Sequence, residues 1–167
     1  MVDQGTERLA ATDDFDTFYR EQHARLVRAL LLLTGQPAEA EDLAQEAFAR
    51  VYERWDRVAG MDSSSGYLYR TALNLHRSFL RRLSVHRRAT QRIERQPHED
   101  SVDDRLAVLA AVAGLPRAQR EALVLVEWLG FGTAEAADLL GIKAVSVRSR
   151  LMDARRSLRS RFGDIDE

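Results

Sequence analysis

Arg70, Arg77, Arg81 and Arg82 recur at intervals near three, four and seven, the spacing that gathers side chains on one face of a helix. A guanidinium is planar and permanently charged and binds phosphate oxygens in pairs, so such a stripe suits a nucleic-acid backbone. Arg87 and Arg88 are placed to extend it, and Asn74, within it, carries an amide able to read a base edge. A second cluster comprises Lys143, Ser146, Arg148, Ser149 and Arg150, with Arg155 and Arg156 on the turns that follow. Arg and Ser side chains there can meet guanine edges or phosphates in a major groove. A third set, Asp42, Gln45 and Glu46, offers acceptors and an amide. It suits a basic partner helix, and equally a solvated face.

Bond-making chemistry is poorly served. The 167 residues include no cysteine, which excludes disulfides, thiolate catalysis and cysteine-based zinc sites. His23, His76, His86 and His98 are scattered without metal-ligand spacing, and His76 and His86 lie among arginines that disfavour their protonation. There is no glycine-rich phosphate loop and no Gly-x-Ser-x-Gly, and the carboxylates fall on solvated helix faces. The expectation is a binding protein and not an enzyme, with no metal and no cofactor.

The formal net charge of −1 conceals a strong alternation. Residues 1–62 hold seven Arg against thirteen acids, and residues 63–95 hold eight Arg against one Glu. Residues 96–141 return to three Arg against eight acids, and residues 142–167 carry seven basic groups against four acids. Ordinary solvated helices mix the two signs, so two separate polyanion-facing surfaces are expected.

The elements that must position these groups are helical throughout. Three prolines, nine glycines and no run of apolar–polar alternation argue against a sheet. A first helix is expected from Asp13 or Asp14 to Gly35, and a second from Pro37, with Ala40, Leu43, Ala44, Ala47, Phe48, Val51, Tyr52 and Trp55 at steps of three and four. Val58 to Ser65 reads as a loop whose serines cap a third, basic helix running from about Gly66 into the high eighties. Tyr67, Tyr69 and Phe79 on that helix could stack on bases, but their spacing favours the core. Residues 90–101 have little to bury and read as a linker. Helices resume at Val102, break at Gly114-Leu115-Pro116, and continue over Ala118, Ala122, Leu123, Val126 and Leu129 to Gly130. No apolar run approaches the roughly 18 residues of a membrane span, and the N-terminus lacks the basic-then-apolar order of a signal peptide, so a cytoplasmic protein without membrane insertion is expected.

Thr133 to Leu151 has the pattern of a helix-turn-helix: a short helix capped by Thr133, a stop at Gly141, then a longer basic helix from about Ala144 to Phe162. Ile142, Val147 and Leu151 should face inward, leaving Lys143, Ser146, Arg148, Ser149 and Arg150 outside.

Leu115-Pro116, Arg120-Glu121-Ala122-Leu123, Leu139-Leu140-Gly141-Ile142 and Val147-Arg148-Ser149-Arg150-Leu151 resemble region 4 of the extracytoplasmic-function (group 4) sigma factors of the sigma-70 family, which are bacterial transcription initiation factors. Ala40 to Phe48 is similar to the region 2 helix that binds the clamp helices of the largest polymerase subunit, and Tyr67 to Leu75 to the following helix, which engages the −10 element. The chain departs from the family at Tyr67 (usually Trp), Ala136 (usually Ile), Lys143 to Ser146 (usually a Ser-Pro-x-Thr cap) and Asp153 (commonly Arg). The resemblance implies an all-α protein of two small helical domains: region 2 at residues 10–89, a linker at 90–101 and region 4 at 102–163. It implies that Asp42, Gln45 and Glu46 bind core RNA polymerase and that Arg70, Asn74, Arg77, Arg81 and Arg82 meet the −10 element. Lys143, Ser146, Arg148, Ser149, Arg150, Arg155 and Arg156 would then meet the −35 element. Promoter DNA, polymerase core and an anti-sigma factor are the implied partners. The alternatives are a stand-alone helix-turn-helix regulator acting without polymerase, and a protein-binding helical adaptor.

Overall fold

The computed structural model describes the backbone of residues 4–89 and 104–162 and, within these, the side chains of residues 14–84 and 107–162. The expected linker at 90–101, His98 and the side chains of His86, Arg87 and Arg88 lie outside the described residues. Every described element is helical.

Helix α1 runs Gln4–Thr34. It begins earlier than expected because Glu7-Arg8-Leu9-Ala10-Ala11 are strong helix formers that extend it without an apolar stripe. It stops where Gly35 adopts φ +70 and donates its N–H to Leu31 O at 2.8 Å. Pro37 then opens α2 (Pro37–Tyr52), where a missing N–H costs nothing. Trp55 does not continue α2. A turn at Glu53 and Arg54 starts a short α3 (Trp55–Val58), so the expected loop begins after Val58, which is fully buried. The turn seats the Trp55 ring against Phe15 and Phe18, at centroid distances of 5.2 and 5.0 Å. Helix α4 (Ser64–Ala89) is capped by Ser63, whose Oγ accepts the Gly66 N–H at 3.0 Å.

The second half comprises α5 (Asp104–Ala113), α6 (Arg117–Leu123), a π-helical continuation of α6 (Val124–Trp128), α7 (Thr133–Leu140) and α8 (Ala144–Phe162). Helix α8 packs on α6 and α7. The widened π turn shifts the expected inner face: Val124, Leu125 and Leu129 are buried, whereas Leu123 and Val126 are only half-buried. The cause is that this stretch is covered from two sides, by its own half and by the N-terminal half. Leu26, Leu30, Leu33, Tyr69 and Leu73 of α1 and α4 share one continuous core with Leu125 and Leu129. The two halves are therefore docked on each other. Periodicity within single helices carries no signal for that contact.

Candidate nucleic-acid interface

The turn between α7 and α8 forms as its residues dictate. Gly141 sits at φ +67, and the Ile142 N–H reaches back to Ala137 O at 3.0 Å, closing α7. Thr133 is the first residue of α7 and does not cap it. The N-cap is Gly132, whose N–H is taken by the Glu135 carboxylate at 2.8 Å, because Glu two residues into the helix can reach back where Gly132 has no side chain to offer. Helix α8 starts at Ala144 without a capping hydroxyl, the Lys143 carbonyl accepting from Ser146 at 2.9 Å. Val147, Leu151 and Ala154 face inward and are buried. Ile142 is half-buried.

The outer face of α8 presents Arg148, Ser149, Arg155 and Arg156, with Lys143 exposed just ahead of the helix and Ser146 and Arg150 half-exposed. Among the described residues, Arg148 and Arg150 make no ion pair. Arg155 bonds Glu127, and Arg156 lies 3.7 Å from Asp153. Val145 and Met152 are exposed among these residues. Burial stops halfway around this helix, so its basic side is open to a groove.

On α4 the buried stripe is Leu68, Tyr69, Ala72, Leu73 and His76, which leaves Arg70, Asn74, Arg81 and Arg82 exposed. Of the candidate aromatics Tyr69 is core, donating its hydroxyl to Gln22 Oε1 at 3.2 Å, and burial pushes that hydroxyl up to about 12. Tyr67 and Phe79 are half-buried, and Arg54 donates to the Tyr67 hydroxyl at 2.9 Å.

The arginines of α4 do not form one free stripe. Arg82 is exposed, and the exposed Arg81 guanidinium donates to Ser78 Oγ at 2.8 Å. Arg70, however, donates to the Asp138 carbonyl of α7 at 3.2 Å, and Arg77 is turned into the junction of the two halves. There it grips Glu121 of α6 with Nε and Nη2, at 3.3 and 2.9 Å. Arg117 adds a bond to the same carboxylate at 2.9 Å. Glu121 is only 3% exposed; burial pushes its carboxyl up, and the two guanidiniums outweigh that and hold it below the ordinary range. His76 beside it is pulled down to about 4, by burial first and by Arg117, Arg120 and Arg77 next, against the pull of Glu121. Arg120 donates to Leu33 O at 2.7 Å, and Arg25 donates to Leu129 O. The junction's partners lie 44 and 87 positions apart in the chain, so no local pattern marks it. Only the Arg117–Glu121 pair, four apart on one helix, was visible in the sequence.

Asp42, Gln45 and Glu46 are exposed on the outer face of α2, opposite the buried Ala40, Leu43, Ala44 and Ala47. Glu46 pairs with Arg50 at 2.9 Å, an exposed contact of little energetic weight. Among the described residues no group of three or more His, Asp or Glu could hold a metal ion, and no helix is long and apolar enough to cross a membrane.

Residues 18–86 match the family model for sigma-70 region 2, and residues 105–158 match that for sigma-70 region 4. The chain is 30% identical over 149 residues to the RNA polymerase sigma-E factor of Streptomyces coelicolor, covering 87% of this chain and 84% of that protein. It is also 30% identical to the ECF RNA polymerase sigma factor SigM of Mycobacterium tuberculosis, over 89% of this chain and 77% of that one. In fold it is similar to the Bartonella quintana sigma factor RpoE, solved with the anti-sigma factor NepR, at a TM-score of 0.76 and 21% identity, covering 90% of this chain and 99% of that one. A second likeness in fold is to CnrH, solved with the cytosolic domain of CnrY, at a TM-score of 0.65 and 21% identity, covering 95% and 98%. With a region 2 helix group followed by a region 4 helix-turn-helix, and with relatives 30% identical matched over 84% and 77% of their length, the chain belongs to the extracytoplasmic-function sigma factors of the sigma-70 family.

Proposed function

We propose that this chain seats on core RNA polymerase through the outer face of α2 and reads promoters with two separate helices. Asp42, Gln45 and Glu46 meet a basic face of the clamp helices of the largest subunit. Arg70, Arg77, Arg81 and Arg82 follow the phosphates of the unpaired −10 strand, with Asn74 at a base edge. Lys143, Ser146, Arg148, Ser149, Arg150, Arg155 and Arg156 enter the −35 major groove. Region 2 occupies residues 10–89 and region 4 residues 102–163, joined by 90–101. Binding free energy drives the melting, and the chain itself makes and breaks no bond. It works in the cytoplasm, and an anti-sigma factor holds it when its regulon is off.

The observation that carries this reading is the presence of basic, solvent-facing side chains on both α4 and α8, with an acidic face on α2 left uncovered. A dimeric helix-turn-helix regulator has no use for the α2 and α4 faces, and an adaptor has none for either set of arginines. Run-off transcription with purified core, with and without the chain, tests the reading. Product should require the chain, and Asp42→Arg with Glu46→Arg should lower it at least roughly tenfold, the effect of about 1.4 kcal/mol. A chain that blocks transcription by saturated holoenzyme, or leaves core alone just as active, would refute it.

A further inference from the structure

Of the 25 lysine and arginine residues in the chain, 24 are arginine, and the one lysine is Lys143. Its place is specific. Gly141 turns the chain at φ +67 and Ile142 is half-buried, which brings Lys143 to the surface one residue ahead of α8. There its carbonyl accepts from the Ser146 and Val147 N–H groups at 2.9 and 3.3 Å, so the backbone is fixed while the side chain stays exposed. Among the described residues no carboxylate pairs with it.

For a phosphate contact alone, lysine is the lesser choice, because a guanidinium grips two oxygens at once and an ammonium acts as a point charge. The ammonium offers something else. A primary amine can release its proton and attack an acyl carbon, whereas a guanidinium stays charged. The position is also unfavourable for a cation. Helix α8 has no acidic residue in its first turn, so nothing on that turn offsets a positive charge at the positive end of the helix dipole. Lys143 is therefore the one side chain of the proposed −35 face whose charge acyl chemistry can remove, and removing it favours the helix.

We infer that Lys143 is an acylation site, and that acyl transfer to its Nζ weakens the hold of the −35 face on DNA. The donor is an acyl phosphate. The neutral Nζ attacks the carbonyl carbon and an N–C amide bond forms. The C–O bond to phosphate breaks, inorganic phosphate leaves with the bonding pair, and the proton released by nitrogen passes to water. The product keeps one N–H donor and no charge. This inference rests on the function proposed above, in which Lys143 meets the −35 element.

Acetyl phosphate is the probe. The purified full chain is treated with it, the modified position is mapped by peptide mass spectrometry, and holoenzyme is assembled with untreated core. Fluorescence anisotropy across a salt series then gives the affinity for duplex promoter DNA, and urea unfolding gives the stability of the chain. Lys143 should carry the acetyl group. Promoter affinity should fall roughly fivefold at low salt and the salt slope by about one, so the deficit narrows about threefold between about 50 and about 200 mM salt. Lys143→Gln, neutral from the start, should match the acetylated wild type in both readings. Lys143→Arg, compared with itself before and after treatment, should not change, since it offers no amine. The urea midpoints of the acetylated chain and of Lys143→Gln should not fall below the wild type. A lower midpoint would assign the lost affinity to a damaged turn and overturn the inference. So would a Lys143 left unmodified, or a treated Lys143→Arg chain that loses as much affinity as the wild type. Two further outcomes separate the layers: undiminished binding after acetylation sinks the acyl switch alone, and untreated holoenzyme that never binds the promoter sinks the reading beneath it.

Discussion

At the level of single residues, the proposed −35 face divides into free and engaged cations. Arg148 is exposed and makes no ion pair among the described residues, whereas Arg155 is held by Glu127 and Arg156 lies near Asp153. A cation already neutralised by a neighbour releases fewer counterions on meeting a phosphate. Arg148→Ala should therefore reduce the salt slope of duplex promoter binding by about one, and Arg156→Ala by less. Titrating holoenzyme against promoter DNA across a salt series checks this, and equal slopes for the two variants would contradict it. The outward set on α8 was legible in the sequence because Val147, Leu151 and Ala154 at steps of four and three define the opposite face. The engagement of Arg77 was not, since its partner lies 44 positions away in the chain.

At the level of elements, stop signals were the most readable feature. Gly35, Pro37 and Gly141 stand where α1 ends, α2 begins and α7 ends, each for a local reason of backbone geometry. Gly141 has open space around the position of a Cβ, so replacing it costs only the left-handed conformation. Gly141→Ala should destabilise the chain by about 1 kcal/mol and Gly141→Asn by less, because Asn tolerates that region. Urea unfolding followed by circular dichroism measures both, and an alanine variant as stable as the asparagine one would refute the account. Where elements depart from expectation, non-local packing is the cause. Trp55 leaves α2 to join the Phe15 and Phe18 rings, and the π turn at Val124–Trp128 serves two surfaces at once. The cap at Gly132 was missed because the acceptor is Glu135, three residues downstream of a residue with no side chain.

At the level of the whole molecule, the docked halves bury a histidine that unfolding would expose. His76 is held at about 4 against an ordinary 6.5, with Glu121, Arg117 and Arg120 facing it from α6 and Arg77 beside it on α4. A histidine depressed in the folded state stabilises that state above about 6.5, and this stability is lost as pH falls from there towards 4. Glu121, also held below its ordinary value, acts in the same direction at more acid pH. Between pH 7.5 and 5.5 the unfolded-to-folded ratio should rise roughly tenfold. Urea unfolding at the two pH values reports it, and His76→Gln should flatten the change. A chain that becomes more stable over that range as pH falls would contradict the assignment.

The helical class, the order of the helices, the helix-turn-helix and the two basic faces all follow from the sequence alone, because periodicity, stop residues and local charge are properties of neighbours in the chain. The docking of one half on the other, the burial of Glu121 and His76 and the loss of Arg77 from the free stripe were decided only by tertiary structure. They depend on which apolar stripe meets which, and residues far apart in sequence leave no periodic trace of their encounter.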